Sequence, residues 1–229
     1  MRYNTKSLRY QIVCLTISFL CLSTAYSLDD SDVTEMSLQL QNNDVDIKFP
    51  GSVAETKMSR IQLIWWQPLV GSIEGGLNLS YVELSQKTSA TVTAYDTSGY
   101  EIGIGFRGLI LDTEILNLGL QFSLDYLSAQ GDTNLEQDVD ITWLKYSSSL
   151  DFEFIPLSPV TILTGVSYSK IDGEHELLDT PNSVVEFNED DAIGYYIGLS
   201  IKSGNSGKIA VTVNNGHREG IYLVFSNRF

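Results

Sequence analysis

The sequence predicts an all-β protein, a transmembrane antiparallel up-and-down β-barrel of ten strands, with eight as the alternative. Three observations carry this. Apolar and polar residues alternate with a period of two over many segments. Short and long connections alternate. The chain closes on "GIYLVFSNRF", a strand-like stretch ending in Phe229, where a soluble domain would carry a frayed polar tail.

The first 27 residues stand apart. Arg2, Lys6 and Arg9 precede an apolar run from Ile12 to Leu22, and the small residues Ala25 and Ser27 follow. A basic start, a short apolar run and small residues at the cleavage position form a secretory signal peptide. The run is too short for a transmembrane helix, which needs about 17–25 apolar residues. Cleavage near Ser27 would remove both cysteines, Cys14 and Cys21, and with them any disulfide frame. It would also remove three basic residues, taking the formal net charge from −15 to −18. So acidic a chain is unsuited to nucleic acid, which is bound through Lys and Arg at phosphates.

Residues 28–229 then read as one barrel. The segment 34–67 supplies a first hairpin, 34–49 and 58–67 joined by "PGSVAETK", or else a periplasmic arm. Its first strand is the weaker half, because Met36, Leu38 and Leu40 do not share parity with Val45, Ile47 and Phe49. From 73 onward eight strands are expected. In 100–111, Ile102, Ile104, Phe106 and Ile110 oppose Glu101, Gly103, Gly105 and Arg107. In 113–127, Leu116, Leu118, Leu120, Phe122, Leu124 and Tyr126 share one face. Residues 138–155 change parity between Trp143 and Leu144, which a β-bulge there would produce. Residues 160–171, 191–203 and 207–215 alternate in the same way, and no helical stretch follows residue 28. Short turns fall at 68–72, 111–114, 156–159 and 203–207. Longer polar stretches at 85–99, 128–137 and 172–190 read as extracellular loops.

Aromatic residues sort to the strand ends. Tyr81, Tyr126, Trp143, Tyr168 and Tyr195 lie near the long loops and Trp65 near a short turn, the pattern of an interfacial girdle. The expected interior carries charges of both signs: Glu74, Asp151 and Glu153 against Lys202, Lys208 and Arg228 at the periplasmic end, Arg107 and Lys145 nearer the middle, and Glu101 toward the mouth. Such charges must be paired or hydrated.

In the last ten residues Ile221, Leu223, Phe225 and Phe229 share one parity. This resembles the C-terminal assembly signal of Gram-negative outer-membrane barrels, although Asn227 stands where an apolar residue is commoner. "GYEIGIGFRGLIL" and "GGLNLSY" are similar to strands of the small barrels of the OmpX and OmpA kind. The resemblance implies an integral protein of the outer membrane, in contact with its lipid and lipopolysaccharide and inserted by the barrel-assembly machinery. It implies no activity and no cofactor.

Some small barrels are proteases or lipid A enzymes, and these need a catalytic histidine near the rim. The candidates are His175, with Asp172, Glu174 and Asp179 nearby, and His217; Asp190 and Asp191 could form an acidic pair. A solvated loop histidine is the simpler reading of each. The acidic stretch Asp172–Asp191 lacks the spacing of a dedicated calcium loop. The residues therefore point to a non-catalytic barrel with a structural or surface-interaction role. A surface enzyme and a narrow solute pore are the alternatives.

Overall fold

A computed structural model describes residues 33–89, 92–178, 183–190, 192–216 and 218–229. The expected signal peptide, with Cys14 and Cys21, lies outside them, as do Asp179, Asp191 and His217.

Among the described residues eleven antiparallel strands form one closed sheet: β1 Glu35–Phe49, β2 Ser52–Val70, β3 Ile73–Gln86, β4 Tyr95–Asp112, β5 Leu116–Thr133, β6 Asp138–Leu157, β7 Val160–Leu177, β8 Val185–Glu189, β9 Ile193–Ser203, β10 Gly207–Gly216 and β11 Glu219–Arg228. The ring closes between β11 and β1, from Glu35 opposite Arg228 to Asp44 opposite Glu219. Thr34 and Phe229 extend that pairing by two backbone hydrogen bonds. The segment 35–49 is therefore a wall strand and not a periplasmic arm.

β8 and β9 occupy successive levels of one position in the wall. Both pair with β7, β9 along its lower part and β8 along its upper part. The other neighbour of β9 is β10, whereas the other neighbour of β8 is β1, through Ile47 and Lys48. The barrel is thus ten-stranded below, and eight-stranded above, where β8 crosses the top of the short β10–β11 hairpin. Strand lengths explain this. β10 and β11 have ten residues each, about what a bilayer requires. β6 has 20, which at about 3.3 Å per residue and a tilt of about 40° rises about 50 Å, against an apolar band of about 25 Å. The long strands continue well beyond the membrane band as a folded extension at the end away from the short turns.

That extension accounts for most departures from the sequence reading. Within the membrane band apolar residues face outward, among them Leu77, Leu79, Ile102, Ile104, Phe106, Phe122, Leu124, Ile197 and Val211, all exposed. Above it the chemistry inverts: Val45, Ile47, Phe49, Met58, Leu84, Leu127, Val139, Ile141 and Ile171 face inward and form a buried apolar core. The backbone alternation itself is unbroken. Pairing runs continuously through Trp143, Leu144 and Lys145 on both sides of β6, so no bulge occurs there. The register shifts lie near the opposite end, at Pro68/Val70, Leu109/Leu111 and Phe154/Leu157. The parity change in 34–49 has the same cause, since Leu38 sits in the band and Val45 above it. Likewise "PGSVAETK" is a two-residue turn, Pro50–Gly51, followed directly by β2. Much of 85–99, 128–137 and 172–190 is strand; their polar residues are the wetted outer wall of the extension.

Candidate functional site

The interior is filled at three levels. The upper level is the apolar core just described, capped by aromatic rings. Phe187 packs against Phe49 with ring centroids 5.4 Å apart and edge-on against Trp143 at 6.4 Å. Trp143 is only 3 % exposed. It faces inward in the extension, so it is not a girdle residue: an aromatic ring above the band points away from water, not toward lipid. His175 is likewise buried, between Tyr95 at 5.3 Å and Phe49 at 6.4 Å. It is not a solvated loop histidine. Asp172 and Glu174 are on the exposed outer face of the same strand, away from its ring. Residue 175 lies above the membrane band, and burial holds its imidazole pKa below the ordinary 6.5.

The middle level is ionic. Glu101, fully buried, accepts hydrogen bonds from Arg60 at 2.9 Å and Lys145 at 3.3 Å. Lys145 also pairs with Asp125 at 2.8 Å, and Asn78 donates to that carboxylate at 2.6 Å. Beside this network Arg218, in the β10–β11 turn, pairs with Glu189 at 3.4 Å. Ser169 bridges the two, donating to Glu189 at 3.0 Å and accepting from Arg218 at 3.2 Å. Three cations thus meet three carboxylates, all six buried, as a low-dielectric interior requires. Glu101 belongs to this middle level and not to the mouth, because the strand continues past it for another six residues to Tyr95.

The lower level lies at the short-turn end of the barrel. Arg107 pairs with Glu74 and with both oxygens of Glu35, at 2.9 and 3.2 Å, and lies 4.6 Å from the ring centre of Trp66. Arg228 also donates to Glu35, at 3.0 Å. Arg107 therefore sits at this end and not near the middle. Lys208 pairs with Glu153. Asp151 accepts hydrogen bonds from Tyr196 at 2.7 Å and Ser149 at 2.9 Å, with no contact to Lys202. Lys202 has the inward parity but stands exposed at the rim, so it is not an interior charge.

The outer face carries the remaining aromatic candidates. Tyr126, Tyr168, Tyr195 and Trp65 are exposed on it, and Tyr81 packs edge-on against Tyr100 at 5.8 Å. Ile221, Leu223 and Phe225 belong to β11, where Leu223 and Phe225 lie opposite Leu40 and Leu38 of β1. Sequence reasoning missed Arg60, Asp125, Glu35, Glu189 and Arg218. The first three lie on inward parity in β2, β5 and β1 and were legible in principle. Arg218 sits in a turn, where parity carries no information.

These observations define the class: a transmembrane β-barrel with the fold of small outer-membrane barrel proteins. No protein-family model matches the chain, and no curated protein matches its sequence. Among solved structures, it resembles the β domain of the Bordetella autotransporter BrkA, with TM-score 0.52 at 8 % identity, covering 86 % of this chain and 99 % of that one. It is also similar to the translocator domain of autotransporter NalP from Neisseria meningitidis, with TM-score 0.47 at 8 % identity, covering 98 % and 97 %. A third is the outer membrane protein OprG from Pseudomonas aeruginosa, with TM-score 0.47 at 8 % identity, covering 87 % and 96 %.

Proposed function

We propose that the chain is a sealed, non-catalytic barrel of the outer membrane that holds a rigid eight-stranded extension above the lipid for a structural or surface-contact role. The carrying observation is the triple filling of the lumen, above all the middle network of paired, buried charges. A barrel of about eight strands has an interior just wide enough for its own side chains, whereas an aqueous channel appears at about sixteen. This favours a plug over a pore. The surface-enzyme alternative is disfavoured by His175, whose ring is packed among Phe49 and Tyr95 and not against a carboxylate. The expected route to this location is export through residues 1–27 and insertion by the barrel-assembly machinery. The surrounding partners are outer-membrane lipid and lipopolysaccharide.

The test is incubation of the reconstituted protein with lipid A and with a mixed peptide library, followed by mass spectrometry. Unchanged lipid A and peptides are expected. Time-dependent hydrolysis or acyl transfer by the intact barrel would overturn the non-catalytic reading.

A further inference from the structure

His175 is the only histidine among the described residues, and it lies inside an apolar core. The residue is 3 % exposed. Neither ring nitrogen has a hydrogen-bond partner among the described residues. A structural histidine usually anchors one nitrogen on a neighbouring carbonyl or carboxylate; this one is held by ring packing, with its own backbone beside the ring.

Its surroundings on each element are uncharged. β1 contributes Val45, Ile47 and Phe49, β6 Val139, Ile141 and Trp143, and β8 Val185 and Phe187. On β4 it meets Tyr95, whose phenol donates to Gln86 and whose pKa burial pushes further up, so it stays neutral. The first charges below it on the inner face are the compensated group Glu189, Arg218, Lys145, Asp125, Glu101 and Arg60. Asp172, Glu174, Glu176 and Glu186 are exposed on the opposite face of the same wall, screened by water.

We propose that His175 makes the extracellular extension an acid-labile lid: protonation of its ring loosens the apolar core above the bilayer while the barrel within the membrane stays closed. The imidazolium would be buried among apolar side chains with no carboxylate facing it, so the closed core disfavours it. An opened core admits water and accepts the proton.

The sign follows from linkage. The closed form holds the imidazole below 6.5 and the open form restores it. The stabilisation is therefore complete above about pH 6.5 and is lost as pH falls toward the closed-state value. In the limit where the closed form never protonates, the opening equilibrium constant rises about thirty-fold between pH 7.5 and 5.0. Among the described residues no histidine lies in the membrane band, and the buried cations below the core are paired with carboxylates.

The structure supplies the probe. Ala129 is buried in the same core and Ser128, next to it, is on the outer face. Single-cysteine forms of the mature barrel, Ala129→Cys and Ser128→Cys, are reconstituted in lipid vesicles and treated with an impermeant thiol reagent. The ratio of the two rates cancels the pH dependence of the thiolate. This ratio is expected to rise by ten- to thirty-fold from pH 7.5 to 5.0, and to stay flat when His175→Phe is added. His175→Leu provides the same test if the phenylalanine ring does not fit. Acrylamide quenching of tryptophan fluorescence is a second readout, since Trp143 lines the core. A ratio independent of pH overturns the proposal. An acid rise that survives in both His175 variants also overturns it, and assigns the response to the carboxylates of the middle network.

Discussion

Replacing Glu101 with glutamine tests whether the middle network holds the barrel together. The carboxylate is fully buried and takes hydrogen bonds from Arg60 and Lys145 at 2.9 and 3.3 Å. With it present, two cations face two carboxylates, Glu101 and Asp125. Glu101→Gln leaves two buried cations against Asp125 alone. Breaking one partner out of a buried pair costs about 3–5 kcal/mol. The pair Lys48–Asp190 has almost the same separation, 3.2 Å, but is 57 % and 34 % exposed. Asp190→Asn should cost only about 0–1 kcal/mol. Burial, not distance, sets the difference. The assay is urea unfolding of the barrel in lipid vesicles, read by tryptophan fluorescence, with both variants compared to the parent. Adding Lys145→Met to Glu101→Gln restores one cation against one carboxylate and should recover part of the loss, giving a coupling energy of about 1–3 kcal/mol. A Glu101→Gln cost below about 1 kcal/mol, matching the surface pair, would refute the reasoning and imply a hydrated lumen.

Other perturbations separate the remaining parts. Asp151→Ala loses two hydrogen bonds to a carboxylate, those from Tyr196 and Ser149, and should cost about 1–3 kcal/mol in the same unfolding assay; Lys202→Ala, at an exposed rim, should leave the midpoint nearly unchanged. Trp143→Ala empties part of the upper core and should cost about 3–5 kcal/mol, whereas Trp65→Ala, on the exposed face, should cost less; equal effects would return Trp143 to the girdle. Deleting Phe229 should reduce the outer-membrane level relative to total expression much more than it lowers the stability of barrel already inserted, and normal insertion would remove the assembly-signal reading. Cysteines at Glu174 and Ser158 should label from outside intact cells and not label, respectively; the reverse pattern would invert the topology.

The membrane band was legible in the sequence because one rule governs it: lipid outside and polar filling inside force a period of two with fixed polarity. That rule located Ile102, Ile104 and Phe106 against Glu101, Gly103 and Arg107 on β4. It failed where the solvent outside changes from lipid to water. Val139, Ile141 and Trp143 keep the inward parity of Lys145, but apolar side chains now occupy it, and a reading by polarity alone sees a bulge. His175 was misplaced for the same reason, since a segment with polar alternate residues, Glu174 and Glu176, resembles a loop when the inner face is overlooked. Pairing of charges was harder still. Glu35 reaches Arg228 across the barrel closure and Arg107 three strands away on β4, and Asp151 turns to Tyr196 instead of a lysine. Parity identifies which face a residue occupies, but strand stagger decides which residues share a level.

Planar-bilayer recording of the intact protein at neutral pH addresses the sealed lumen most directly. With the apolar core above and six paired charges in the middle, the account expects a baseline without a steady open-channel current. A large, stable conductance in the unmodified barrel would contradict it and move the chain from plug to pore.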